Sequence, residues 1–429
     1  MDAATAAGLA VLGAVDLAGA PTALRSVGGT IVAVGPDVLA QPGDEVLDAG
    51  GALLLPGLVN GHTHAAMTLL RGTGDGLPLM RWLRERIWPA EARLTEDAVY
   101  WGTRLACLEM VRSGTTHLVD MYWHGAAAAR AAVDAGIRTT TSAVLLDGGD
   151  DDAVGALERS ASAVAAAVDS LDELAALGPL VRPSLGPHAV YTVGERTLRA
   201  VAELAVDRGV PVHIHLSETR EEVETCVDRH GLRPAHLLDR CGLLGPGTIA
   251  AHGCWLDADE LALLGERGAT VVTNPVSNCK LAVGRVFPVR AALAAGVGVG
   301  LGTDGAASND GLDLLADAKV LALLQKHDAG DPAALTAAEA LELATGARSP
   351  VLGGRGIEVG APCDLVLVDR DAPQLVGGAD LATTLVYAGS GAVVDTVVVA
   401  GRVVMRHREV PGSAEVVARA REHAAVLRA

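Results

Sequence analysis

Leu53-Leu54-Leu55-Pro56-Gly57-Leu58-Val59-Asn60-Gly61-His62-Thr63-His64 is the stretch that decides how this chain is read. An apolar run with the look of a buried strand ends in two histidines one residue apart. Strand side chains alternate faces, so His62 and His64 point the same way and can grip one metal ion. Taken alone, such a pair could equally be two polar residues on a solvated face. Its meaning depends on whether later strands end in matching ligands.

Working outward, residues 50 to about 345 alternate short apolar segments with Ala/Leu-rich helical stretches such as 96–112 and 335–345. The strands predicted are 52–59, 115–120, 138–143, 181–185, 210–216, 248–252, 270–274 and 297–303. Near-continuous apolar strands separated by helices imply a parallel sheet, and eight such units over this length predict a (β/α)₈ barrel. The ends of the chain read differently. Segments 30–36 and 44–47 near the start, and 364–369 and 395–401 near the end, look like short strands and turns, and 413–429 looks like a helix. The expected organisation is α/β: a barrel over 56–356, flanked by residues 1–55 and 357–429, which pair as a small β-sandwich.

Active sites of such barrels lie at the C-terminal strand ends. Those positions hold His62 and His64, His188, His213 and His215, His252, Asn274 and Asp304, so six of the 13 histidines fall on a few strand ends. Three imidazoles and one carboxylate suit Zn²⁺, with Fe²⁺ as the alternative. His62, His64, His215 and Asp304 are assigned as ligands. A two-metal site of this type needs a bridging group such as a carbamylated lysine after the fourth strand. Pro187-His188 stands there instead, and the first lysine is Lys280, so one metal per subunit is expected. Metal in such a site activates water near neutral pH. Asp304 can take that water's proton, Glu218 can protonate a substrate ring, and His252 can hydrogen-bond the attacking oxygen. Plainer readings exist: Asp304 before Gly305 as a turn residue, Glu218 as a helix cap, and His213 as a barrel histidine one layer deeper.

Composition narrows the rest. A net charge of −18, spread along the 429 residues, repels nucleic-acid phosphates and anionic lipid, so neither is an expected partner. The six cysteines form no C-x-x-C pair, which argues for a reducing compartment. With no basic start to the apolar N-terminus and no long uncharged apolar run, a cytoplasmic location is expected. The chain has one Phe, four Tyr and five Trp, so Tyr122, Trp123 and His124 together after the second strand suggest either a wall for a flat ring or an interface.

These motifs resemble the amidohydrolase superfamily, within it the methylthioadenosine/S-adenosylhomocysteine deaminase group and its chlorohydrolase relatives. The resemblance covers nearly the whole chain: PGLVNGHTHAAMTLLRG from Pro56, EARLTEDAVYWGTRLACLEMVRSGTTHLVDMY from Glu91, GPHAVYTVG from Gly186, HIHLSET from His213, AHGCWLD from Ala251, NPVSNCKLAVG from Asn274 and LGTDGAASND from Leu301. It implies the same four ligands, catalytic roles for Glu218, His252 and Asp304, ribose contacts from Glu91 and His188, Trp88 near the pocket mouth, and a homo-oligomer (dimer or tetramer). Read without the resemblance, Glu91 is a carboxylate favoured by a helix N-terminus. Asn278 and Asn309 fall in matching loops.

Two departures stand out. Where relatives acting on S-adenosylhomocysteine carry an arginine after the third strand, this chain has Ala143, followed by the acidic loop 148–152, which argues against that substrate. Arg285 and Phe287 replace smaller residues. Arg285 is expected to reach the substrate, and Phe287 either to do the same or to pack beneath its loop. The function expected is hydrolytic deamination of an amino-substituted aromatic heterocycle, first an adenosine-type nucleoside with a neutral 5′ substituent. Loss of chloride or alkylamine from a triazine-like ring is the alternative, and a non-catalytic metal-binding barrel a remote one.

Overall fold

The computed structural model describes residues 8–428. Eight parallel strands follow one another around a barrel: β1 Leu58–Thr63, β2 Thr115–Asp120, β3 Arg138–Leu145, β4 Val181–Pro187, β5 Val212–Leu216, β6 Thr248–His252, β7 Thr270–Thr273 and β8 Gly298–Leu301. Each pairs with its sequence neighbour in parallel. Every residue of β1, β2, β5, β6 and β7 is buried, as expected of strands covered on both faces. Helices form the outer layer, among them Glu96–Arg112, begun by the Thr95 side chain, which accepts from Ala98 N.

The barrel closes by an unusual seam. Among the described residues no ladder joins β8 to β1. Instead Asp304 N donates to His62 O at 3.0 Å, Thr303 N to Asn60 Oδ1 at 3.0 Å, and Asn60 Nδ2 to Thr303 Oγ1 at 2.7 Å. Gly302 permits this approach: a Cβ there would lie 2.4 Å from Asn274 Oδ1 and 2.9 Å from His62 N. The seam brings Asp304, from the far end of the barrel sequence, against His62.

The opening stretch proves to be two strands. Leu53–Pro56 belongs to the small terminal domain and Leu58–Thr63 to the barrel. The chain changes sheets at Gly57, whose N–H donates to Asp364 O while Leu58 N donates to Gly114 O. A Cβ on Gly57 would lie 2.0 Å from Thr116 Oγ1, so no larger residue fits that crossing. Periodicity alone could not reveal the break, because both halves are equally apolar.

The two chain ends do build one small domain. Leu53–Pro56 lies antiparallel to Leu365–Val368, with Pro56 opposite Leu365. From there one mixed sheet extends through Leu9–Val15, Pro21–Val27 and Thr30–Val34 on one side, and Val394–Val399 and Arg402–Met405 on the other. Glu45–Asp48 adds in parallel beside Leu9–Val15. The terminal helix Ser413–Arg428 packs back on the barrel near Glu96–Arg112. No helix of the described chain is long and apolar enough to cross a membrane.

Candidate active site

At the C-terminal mouth of the barrel four nitrogen and oxygen atoms converge. Asp304 Oδ1 lies 3.5 Å from His62 Nε2 and 3.4 Å from His64 Nε2, and His64 Nε2 lies 3.3 Å from His215 Nε2. Donors bound to one zinc at the usual 2.0–2.1 Å in a tetrahedron stand about 3.3 Å apart, so these spacings fit such an ion.

The opposite ring nitrogens are fixed by partners that aim Nε2 inward. His215 Nδ1 donates to His188 O at 2.8 Å, and His64 Nδ1 donates to Met121 O. His62 Nδ1 lies 2.8 Å from His213 Nε2, and His213 Nδ1 lies 3.4 Å from Ser142 Oγ. Such outer partners fix the tautomer that leaves Nε2 free. His62 Nε2 is fully buried and has no hydrogen-bond partner, a vacancy that a cation satisfies. Asp304 Oδ2 accepts from Ser277 Oγ at 2.6 Å and Ser308 Oγ at 3.1 Å. His213, legible in the sequence only as an inward histidine, therefore backs His62 directly.

Charge states suit the same purpose. Burial lowers His62 to about 4 and His188 to about 3, and holds His215 well below its ordinary value. These imidazoles are neutral, the state in which a ring nitrogen can bind a metal. Asp304 is held well below its ordinary value despite burial because His62, His252 and His64 beside it favour its charge. Glu218 is raised by burial, with Asp304 adding to the rise and His252 opposing it, so the protonated form is favoured more than in water. For His252 burial works downward, but the carboxylates of Glu218 and Asp304 outweigh it and raise the ring. Glu218 Oε1 lies 3.8 Å from His252 Nδ1, which itself lies 2.8 Å from Asn278 Oδ1. His252 Nε2 is thereby left free on the side of the donor cluster. His62, His215 and His252 can also gather around one ion.

Three residues at this rim bend in a way that sequence could not announce. Ser217 (φ 49°), His252 (φ 75°) and Asp304 (φ 63°) all adopt the left-handed region although none is glycine. Each costs roughly 1–3 kcal/mol, a strain that concentrates at working sites.

A narrow cleft of about 100 Å³ opens above the donors. Its polar lining is His64, Glu91, His188, His215, Glu218, His252, Asp304 and Ser308. Trp82, Trp88, Tyr122, Trp123 and Tyr191 supply flat walls in a chain with few aromatics. Glu91 ends the short helix Trp88–Glu91 and faces the cleft, so it does not serve a helix N-terminus. Glu218 is not the cap of the next helix either: Thr219 fills that role. Among the described residues that line this cleft none is Arg or Lys.

Two expectations need correction. Arg285 lies outside the cleft, exposed, with its guanidinium 4.6 Å over the Trp255 ring. Its neighbour Phe287 is buried in the core beneath the loop. That loop turns away from the mouth, so neither reaches the donors. Ala143 is also on the wrong face. Strand β3 continues to Leu145, Ala143 packs in the main apolar core, and Val144 and Leu146 line the cleft. Strand alternation thus removes Ala143 as an indicator of the substrate's tail. The acidic loop is likewise engaged away from the cleft: Asp150 Oδ1 accepts from Asp152 N at 3.0 Å, and Asp151 Oδ2 accepts from Arg196 N at 3.3 Å.

A larger cleft in the small domain lacks any such convergence. Its Arg406 pairs with Glu45 and its His407 with Asp395.

A parallel barrel whose C-terminal mouth gathers three imidazoles, a carboxylate and a buried acid has the form of a metal-dependent hydrolase. The chain belongs to the amidohydrolase family, whose profile matches residues 53–404. It is 50% identical over 384 residues to a 5′-deoxyadenosine deaminase of Methanoregula boonei, covering 89% of this chain and 86% of that one. It is 45% identical over 372 residues to a 5-methylthioadenosine/S-adenosylhomocysteine deaminase of Moorella thermoacetica, covering 86% and 85%. A solved adenosine deaminase from Xanthomonas campestris with bound zinc superposes with a TM-score of 0.90 at 37% identity, covering 98% and 99%.

Proposed function

We propose that the protein is a metal-dependent deaminase of 5′-substituted adenosines, releasing ammonia and the corresponding inosine. The relatives described above are deaminases of this substrate class. The observation that carries the reading in this chain is the buried Glu218 carboxyl, facing His252 and Asp304 across a cleft walled by aromatic rings.

His62, His64, His215 and Asp304 would hold one divalent ion, zinc in the first place, as in the Xanthomonas protein. The ion, when bound, supplies a water acidic enough to act as a nucleophile near neutral pH. The residues do the rest. Glu218, whose protonation burial favours, donates to the ring nitrogen next to the amino-bearing carbon, making that carbon electrophilic. Asp304 is ionised and accepts one proton of the attacking water, then passes it to the departing amine, while the second water proton returns to Glu218 as the carbonyl forms. His252 hydrogen-bonds the entering oxygen as charge develops on it. Glu91 and His188 line the cleft where the ribose would lie, and Trp88 stands at its rim.

The 5′ end would run toward Val144 and Leu146, with no cation to meet a charged tail. Deoxy and methylthio groups therefore fit better than the amino-acid tail of S-adenosylhomocysteine. Ultraviolet absorbance of zinc-loaded protein with 5′-deoxyadenosine, methylthioadenosine, S-adenosylhomocysteine and aminotriazines tests this. The first two should turn over with the highest kcat/KM; failure of every aminated purine would reject the reading.

A further inference from the structure

We propose that Glu222 is a positioning residue for Glu218, clamping the backbone that aims the proton-transferring carboxyl into the cleft. This rests on the reading of Glu218 given above.

The observation is a capping arrangement put to a different use. At a helix start, the residue three after the cap commonly turns its carboxylate back to the cap's own N–H. Two helices of this chain follow the rule: Glu260 accepts from Asp257 N at 3.1 Å, and Glu339 accepts from Thr336 N at 2.7 Å. The helix Arg220–His230 starts in the same way, with Thr219 Oγ1 accepting from Glu222 N at 3.2 Å. Here the glutamate reaches past its cap. Glu222 Oε1 accepts from Ser217 N at 2.8 Å, and Oε2 accepts from Glu218 N at 2.8 Å.

Both oxygens thus hold the two residues that carry the chain from β5 into the cleft. Ser217 is the left-handed residue of this turn, a conformation that persists only where neighbours impose it. The same turn anchors the His252 loop: Ser217 O accepts from Trp255 N at 2.8 Å, and Leu216 O from Gly253 N at 3.0 Å. Glu222 is only 5% exposed, and burial raises its carboxyl to about 7. A desolvated carboxylate shared by two amides fixes both the direction of Glu218 and its distance from His252.

The test compares Glu222→Gln and Glu222→Ala, each reconstituted with zinc and assayed on 5′-deoxyadenosine. Gln keeps the shape but offers one acceptor to two donors; Ala offers none. Misplacing a catalytic group by about 1 Å costs about 100-fold. The expected result is kcat per bound metal lower by about 10-fold in Gln and about 100-fold in Ala, with KM within about threefold of wild type. On a Glu218→Gln background, Glu222→Gln should cause no further loss, since it acts through the residue already disabled. Should Ala fail to fold, the Gln variant and the double variant still decide. A lower unfolding temperature with unchanged kcat per metal-loaded site would mean a helix cap only and overturn the proposal, as would a fully additive double variant. Wild-type turnover in Glu218→Gln would instead overturn the reading of Glu218 itself.

Discussion

The contact between His213 and His62 gives a prediction whose size can be worked out. His213 Nε2 is the partner of His62 Nδ1 at 2.8 Å, and both rings are wholly buried. His213→Leu fills similar volume but leaves His62 Nδ1 without a partner. A buried polar group left unsatisfied costs about 1–3 kcal/mol. Because His62 needs that proton on Nδ1 to present Nε2 as a lone pair, the cost falls on metal binding. It corresponds to roughly 5- to 150-fold weaker affinity, in line with the 10–100-fold typical of outer partners of metal ligands. Ser142 keeps Ser184 Oγ at 3.0 Å and is not stranded. Zinc affinity measured by competition with a chromophoric chelator reads the effect directly. A folded His213→Leu protein that binds zinc within about twofold of wild type would refute the reasoning.

Two further outcomes follow from the same geometry. Burial pushes the Asp317 carboxyl up to about 8, so the folded protein keeps a proton there that the unfolded chain releases above about 4. Its contribution to stability is lost as pH rises through that window. Asp317→Asn, always neutral, should therefore gain about 3 kcal/mol on wild type between pH 5 and pH 7.5 in urea unfolding of metal-free protein; a pH-independent difference would refute this. At the mouth, Leu146→Arg places a cation where the 5′ tail is proposed to run. It should raise kcat/KM for S-adenosylhomocysteine relative to 5′-deoxyadenosine about tenfold, and an unchanged ratio in a paired kinetic assay would count against that placement of the tail.

Much of the barrel was legible because buried parallel strands leave a strong apolar signature. The expected strands 115–120 and 248–252 coincide with β2 and β6, and the histidines at strand ends marked the mouth of the barrel. What stayed hidden depends on register and long-range closure. Ala143 matches the relatives' arginine by resemblance alone, but the strand continues to Leu145, and a strand's face cannot be judged without its register. Arg285 looked available because a loop sequence does not say which way it folds. The break at Gly57 and the seam at Gly302 depend on contacts with Thr116, Asn274 and His62. The left-handed Ser217, His252 and Asp304 carry no compositional mark. Nothing in the sequence sets Glu222 apart from another acid in a helix's first turn; its two amide partners do.

One divalent ion at His62, His64, His215 and Asp304 is proposed to enable this chain to deaminate a 5′-substituted adenosine. The direct measurement strips the protein with a chelator and titrates zinc back while following 5′-deoxyadenosine deamination by ultraviolet absorbance. The account predicts no turnover without metal, and activity that rises linearly to a plateau at one equivalent per chain. Full activity in the stripped protein, or no deamination at any zinc level, would contradict it.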